Sequence, residues 1–117
     1  MRHSLPILLC SKNEDYRLLV REMLGKNGFF HVLEAGDRNE TKDLMKGQGQ
    51  GALTIIQIDL LDEEISSSLR KNGLFIVLSQ SDTEESIVKS AILGVEHFLS
   101  FPFSSRLLLE KIDSLIS

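Results

Sequence analysis

Five short apolar runs alternate with stretches of helical periodicity, and no other feature of the chain restricts its fold as much. The runs are Pro6–Cys10, Phe29–Glu34, Ala52–Ile58, Leu74–Leu78 and Val95–Leu99. Each is too short for a stable helix, and most are apolar at consecutive positions, which marks strands buried on both faces. After the first run, Asn13 can cap a helix whose apolar face is Tyr16, Leu19, Val20, Met23 and Leu24, with Arg17, Arg21 and Glu22 opposite. Lys26-Asn27-Gly28 stops it. Asn39–Met45 predicts a short second helix, ended by the Gly/Gln segment 47–51, which reads as a surface loop. Asp62–Lys71 predicts a third helix with only Ile65 and Leu69 as apolar anchors, stopped by Asn72-Gly73. Ser81-Asp82-Thr83-Glu84 is a capping box before the stripe Ile87, Val88, Ala91 and Ile92, and Gly94 ends that helix. Ser104 caps a last helix carrying Leu107, Leu108, Leu109, Ile112, Leu115 and Ile116.

Strands buried on both faces and separated by helices require a parallel sheet with helices on each side. Right-handed crossovers leave few topologies. The expectation is an α/β, flavodoxin-like (βα)5 doubly wound sheet of strand order 2-1-3-4-5, with a shortened third helix. At 117 residues the chain suits a single domain over 1–117. Hydrophobic residues are 42% and charged residues 26%, enough apolar content for a packed core. The net charge of −4 offers no basic footprint for nucleic acid. No apolar run approaches a membrane span. Charged residues follow Ile7–Cys10 too soon for a signal peptide. Cys10, the one cysteine, cannot form an internal disulfide and reads as a small core residue; a cytoplasmic home is expected. His3, His31 and His97 form no metal motif, and Ser11-Lys12-Asn13-Glu14 lacks the glycines of a nucleotide loop.

Ligands of such sheets sit at the carboxyl ends of the strands. The segments there, with Ile7-Leu8-Leu9-Cys10, Gly28–Ala35, Ala52–Ile56, Phe75–Ser79 and Gly94–Phe103 in that order, resemble the receiver domain of bacterial two-component response regulators. The resemblance spans roughly residues 6–116. It implies an acidic pair holding Mg²⁺ after the first strand and an acceptor Asp at the end of the third. It also implies a Ser or Thr after the fourth strand and a Lys before a proline after the fifth. In this sequence the acidic pair aligns with Ser11 and Lys12, the acceptor with Gln57 and the Lys with Phe101. Ser79 and Pro102 are retained. Mg²⁺ prefers carboxylate oxygens, so the resemblance implies a pseudo-receiver: no catalysis, no cofactor, no Mg²⁺. The degenerate pocket is Ser11, Lys12, Gln57, Asp59, Ser79, Phe101 and Pro102.

Two further readings of that pocket stay open. Asp59, two residues beyond Gln57, would share its face if the strand ran on. It would then be an acceptor for a histidine kinase, with Glu14, Asp62 or Glu63 supplying metal oxygens. The Lys12 ammonium would alternatively fill the cation position and bond Asp59 or Gln57. Outside the pocket, the last helix carries more apolar residues than one stripe needs: Leu109, Ile116 and Leu107 widen the face of Leu108, Ile112 and Leu115. In receivers the fourth helix, fifth strand and fifth helix form a partner or dimer surface. Ile87, Lys89, Glu96, Phe98, Arg106, Leu107 and Lys111 are the candidates for it here. The expected partner is a protein: a histidine kinase, an output domain following residue 117, another signalling protein, or a second copy.

Overall fold

Backbone register and side-chain parity build the molecule from its middle outward. In the computed structural model, which describes residues 4–48, 51–80 and 97–116, every residue of the three inner strands is buried. The elements are β1 (Ile7–Cys10), α1 (Glu14–Lys26), β2 (Val32–Ala35), α2 (Arg38–Gln48) and β3 (Leu53–Gln57). A 3-10 turn (Ile58–Leu60), α3 (Glu63–Asn72), β4 (Phe75–Ser79), β5 (Phe98–Ser100) and a C-terminal helix (Ser105–Ile116) follow. The strands pair in parallel in the order β2-β1-β3-β4-β5. This is the flavodoxin-like arrangement expected from the sequence, short third helix included.

Because successive side chains on a strand point to opposite faces, each strand feeds two cores. Ile7, Leu9, Leu53, Ile55, Ile76 and Leu78 pack with Tyr16, Val20 and Leu24 of α1 and Leu108 and Ile112 of the C-terminal helix. Leu8, Cys10, Ile56, Phe75 and Val77 pack on the other face with Ile65 and Leu69 of α3. Among the described residues no helix is long and apolar enough to cross a membrane.

The structure corrects several expected boundaries. β2 starts at Val32, not Phe29. Gly28 takes a φ of 86° and its N–H donates to Gly25 O, while the Phe29 N–H donates to Leu24 O at 3.0 Å. Phe29 thereby closes the end of α1 and is 1% exposed, whereas Phe30 is 79% exposed. A count of β-forming residues cannot separate these two neighbours. α2 is longer than expected, because Asp37 Oδ1 accepts the Glu40 N–H at 2.8 Å and starts the helix at Arg38. β3 stops at Gln57, one residue early, as the chain enters the 3-10 turn. α3 runs Glu63–Asn72, one residue later at each end than expected, because Asp62 caps the helix instead of opening it; Gly73, at φ 76°, closes it. The capping box at Ser81–Glu84, the fourth helix, Gly94 and the start of the fifth strand at Val95 lie outside the described residues.

The two phenylalanines give a direct test. Phe29→Ala is expected to cost about 3–5 kcal/mol. Phe30→Ala should stay within about 0.5 kcal/mol of the parent. Urea unfolding midpoints of the two variants measure the difference.

Candidate functional site

The β1–β3 register places the first polar residues of the sheet side by side. Cys10 lies opposite Ile56, so the next residues, Ser11 and Gln57, meet at the carboxyl edge. Both are buried, at 1% and 7% exposure. The Ser11 hydroxyl donates to Gln57 Oε1 and its oxygen accepts the Asn13 N–H. Asn13 in turn caps α1 by accepting the Tyr16 N–H at 3.1 Å. The polar edge of the sheet and the start of the first helix are thus one hydrogen-bonded unit.

Two arginines fasten the backbone around this pair. Arg17 donates to Ser11 O at 2.5 Å and pairs with Glu34 Oε1 at 3.1 Å, while Arg21 reaches Glu34 Oε2 at 2.6 Å. Arg38 donates to Asp59 O at 2.9 Å and to Leu60 O at 3.0 Å. It holds the 3-10 turn by its carbonyls. Helical periodicity puts Arg17 opposite the apolar face of α1, and for Arg38 the sequence offers only a position just after the Ala35-Gly36-Asp37 turn.

The remaining pocket residues do not all converge. Lys12 is exposed and bonds neither Gln57 nor Asp59; the partner of Gln57 is Ser11. Asp59 is exposed on the 3-10 turn, because the strand does not run on past Gln57. Ser79 is buried at the end of β4, and its carbonyl accepts the Phe101 N–H at 2.7 Å. The Phe101–Pro102 peptide is cis. The Phe101 ring lies 4.9 Å from Tyr16 and 5.2 Å from Phe103, so an aromatic cluster occupies the position where receivers carry a lysine. The Tyr16 hydroxyl is buried with no hydrogen-bond partner among the described residues, and burial pushes its pKa up to about 12. Burial likewise pushes the Cys10 thiol up to about 11, against a hydrogen bond with Thr41, so it is a neutral core group.

The donors at this edge do not fit Mg²⁺. Ser11 and Gln57 are neutral and bonded to each other, and Lys12 carries the wrong charge. Of the acidic residues offered as substitutes, Asp62 caps α3 through the Ile65 N–H at 2.8 Å and pairs with Lys42 at 3.0 Å. Glu14 and Glu63 are exposed. Among the described residues no three His, Cys, Asp or Glu side chains come together as a metal site.

On the expected interaction face, Phe98 packs against the α2–α3 core, Arg106 pairs with Glu110 at 3.2 Å, and Lys111 is half-buried. Leu109 and Ile116 pack on the α1 core, so of the three residues expected to widen the apolar face only Leu107, 40% exposed, remains open. Ile87, Lys89 and Glu96 lie outside the described residues.

Removing one side of the Ser11–Gln57 bond leaves a buried acceptor unpaired. Ser11→Ala should lose about 1–3 kcal/mol, and the double variant Ser11→Ala/Gln57→Met should recover most of it. Chemical denaturation of the four-protein cycle reads this. A second outcome follows from Asp62. The Ile65 N–H foremost, and Lys42 beside it, hold its carboxyl below the usual range. A depressed folded pKa contributes stability above the unfolded value, lost as the pH falls through the folded one. Asp62→Ala should therefore cost about 1 kcal/mol at neutral pH. The gap to the parent should narrow below about pH 4 in pH-dependent melts.

No family model and no curated protein matches the chain. Solved structures do. A signal receiver domain of a two-component histidine kinase from Clostridium thermocellum is 18% identical, with a TM-score of 0.77 over 97% of this chain and 98% of that one. A chain from the complex of the CheA3 P1 domain with CheY6 of R. sphaeroides is 17% identical, with a TM-score of 0.73 over 96% of each. The N-terminal domain of an uncharacterized protein from Wolinella succinogenes is 25% identical, with a TM-score of 0.67 over 94% of this chain and 91% of that one. The fold of this chain is the fold of receiver domains.

Proposed function

We propose that this chain is a receiver-type module of bacterial two-component signalling that does not accept a phosphoryl group and works by binding another protein. The observation that carries the reading is the buried Ser11–Gln57 hydrogen bond. It fills the positions that the receiver resemblance assigns to an acidic residue and the acceptor. Aspartyl phosphorylation needs a cation to offset the charge of the transferring group. Here the edge is neutral, self-satisfied and flanked by the exposed Lys12.

Asp59 offers no replacement acceptor on this reading. It stands on a turn whose carbonyls Arg38 holds, outside the buried edge. The pocket residues Ser11, Lys12, Gln57, Asp59, Ser79, Phe101 and Pro102 then serve as structure. Signalling falls to the face of β5 and the C-terminal helix, where Phe98, Arg106, Leu107 and Lys111 sit; Ile87, Lys89 and Glu96, expected from the sequence to complete it, lie outside the described residues. A cytoplasmic signalling protein, or a second copy of the chain, is the partner we assign to it. The CheY6 structure, recorded with a CheA3 domain, supports protein recognition as the use of this fold.

Intact-mass measurement after incubation with Mg²⁺ and acetyl phosphate should show no stable phosphoryl adduct. An adduct that Asp59→Ala abolishes would overturn the reading. Light scattering of Leu107→Ser against the parent tests the face: loss of a dimer, or of a captured kinase domain, is the expected result.

A further inference from the structure

Leu18, Leu19, Phe30 and Leu107 are the large apolar side chains exposed among the described residues, and the first three belong to α1 and the segment after it. Phe30, at 79%, is the most open of them. It stands just before β2, the strand that ends the sheet on that side. The β1–β2 register decides which backbone groups of β2 are used. Ile7 and Ser11 donate to the carbonyls of His31 and Ala35, so residues 31, 33 and 35 turn their peptide groups toward β1. Phe30, Val32 and Glu34 turn theirs outward, where they have no hydrogen-bond partner among the described residues. Such an edge accepts another strand unless proline, charge or a bulge guards it. Residues 30–35 contain no proline and no lysine. Their one acid, Glu34, is neutralised by Arg17 and Arg21, at 3.1 and 2.6 Å. By strand parity Phe30, Val32 and Glu34 share the α1 face. The Phe30 ring lies by the last turn of α1, where a Cβ on Gly25 would meet it at 3.9 Å. Beside Glu34 a cleft of about 350 Å³ opens, lined by Arg17, Leu18, Arg21 and Glu34 with Glu14 and Asp15. Leu18 is 45% exposed and the Arg21 side chain 51%, so both meet solvent.

We infer that the β2 edge pairs with β2 of a second copy of this chain, antiparallel and about a twofold axis at Val32. That axis sets Val32 opposite its counterpart and Phe30 opposite Glu34 of the other copy, an isologous contact. Each opposed pair of outward residues exchanges two N–H···O bonds, so the groups at 30, 32 and 34 are all satisfied. Opposed side chains point to the same face of the sheet. Each Phe30 ring therefore reaches the other copy's cleft at Glu34, against Leu18 and the Arg21 guanidinium, a cation that the ring face attracts. The strand carries a ring and a cleft that accepts it, two residues to either side of Val32. This self-complementarity selects a second copy over an unrelated strand. A short strand pair and two rings bury less than the roughly 1,200 Å² of stable complexes, so the dimer is weak, with a Kd on the order of 0.1–1 mM. At the dilution of unfolding measurements the chain is a monomer. The β2 edge lies across the sheet from β5, and the inference is independent of the signalling face above.

Hydrogen exchange of the isotope-labelled chain, from about 20 µM to 1 mM, spans that affinity range. The Val32 and Glu34 amides should gain protection as concentration rises. The Leu33 and Ala35 amides, already bonded to β1, should be protected throughout. Phe30→Lys, a change at an exposed position that leaves the monomer folded, should weaken the pairing at least about tenfold. Leu107→Ser should leave the Val32 and Glu34 amides as in the parent, which separates this edge from the β5 face. Free exchange of Val32 and Glu34 at the highest concentration would overturn the assignment. So would protection that persists unchanged in Phe30→Lys, or protection that Leu107→Ser removes.

Discussion

The central strands have no solvent-facing side, and that constraint decides where polar chemistry can occur. Along β1 and β3 one face belongs to the α1 core and the other to the α3 core. A polar side chain inside such a strand would lose its water without a partner. Thr54, 1% exposed, is the polar exception within β3. Otherwise polarity enters at the carboxyl edge, and there the register forces the residues after Cys10 and Ile56 together. Ser11 and Gln57 are complementary as donor and acceptor, so each satisfies the other's buried group.

That pairing changes the electrostatics of the edge. Two or three carboxylates gathered at one sheet edge repel one another and depend on a cation to remain ionised together. A hydroxyl and an amide carry no net charge and need none. The guanidinium groups nearby are used on the backbone: Arg17 on the carbonyl of Ser11, Arg38 on those of the 3-10 turn. Hydrogen bonds from charged donors are worth about 1.5–3 kcal/mol, more than neutral ones. The edge is therefore held in one arrangement by contacts internal to the chain, with the aromatic cluster of Tyr16, Phe101 and Phe103 packed beside it.

Most of the architecture was legible because it rests on local signals. Double-sided apolar runs identify parallel strands, and Asn13, Gly28 and Gly73 mark helix ends that the structure reproduces. The misses share one cause: they depend on contacts distant in sequence. Arg38 acts 21 to 23 residues away from itself, and nothing local announces it. Phe29 and Phe30 have the same propensity, and only the geometry at the end of α1 sends one inward. Leu109 and Ile116 look like surplus on a helical wheel, yet both pack, half-buried, against the α1 core. At the site, residue identities were readable in sequence, but that Ser11 and not Lys12 meets Gln57 required the register.

The short α3 links the two ends of this second face. Near its start, Asp62 ties it to α2 through Lys42, so the helices are held together there by charge. Along the groove between α2 and α3 the balance reverses. Leu8, Thr54 and Ile65 are already buried, so drawing α2 and α3 closer would gain apolar burial mainly from the half-buried Met45. It would also crowd Lys46 and Lys71, whose charges no acid among the described residues offsets. Like charges brought close in a partly desolvated space repel more strongly than in water. The two ammonium groups therefore oppose closure of the groove.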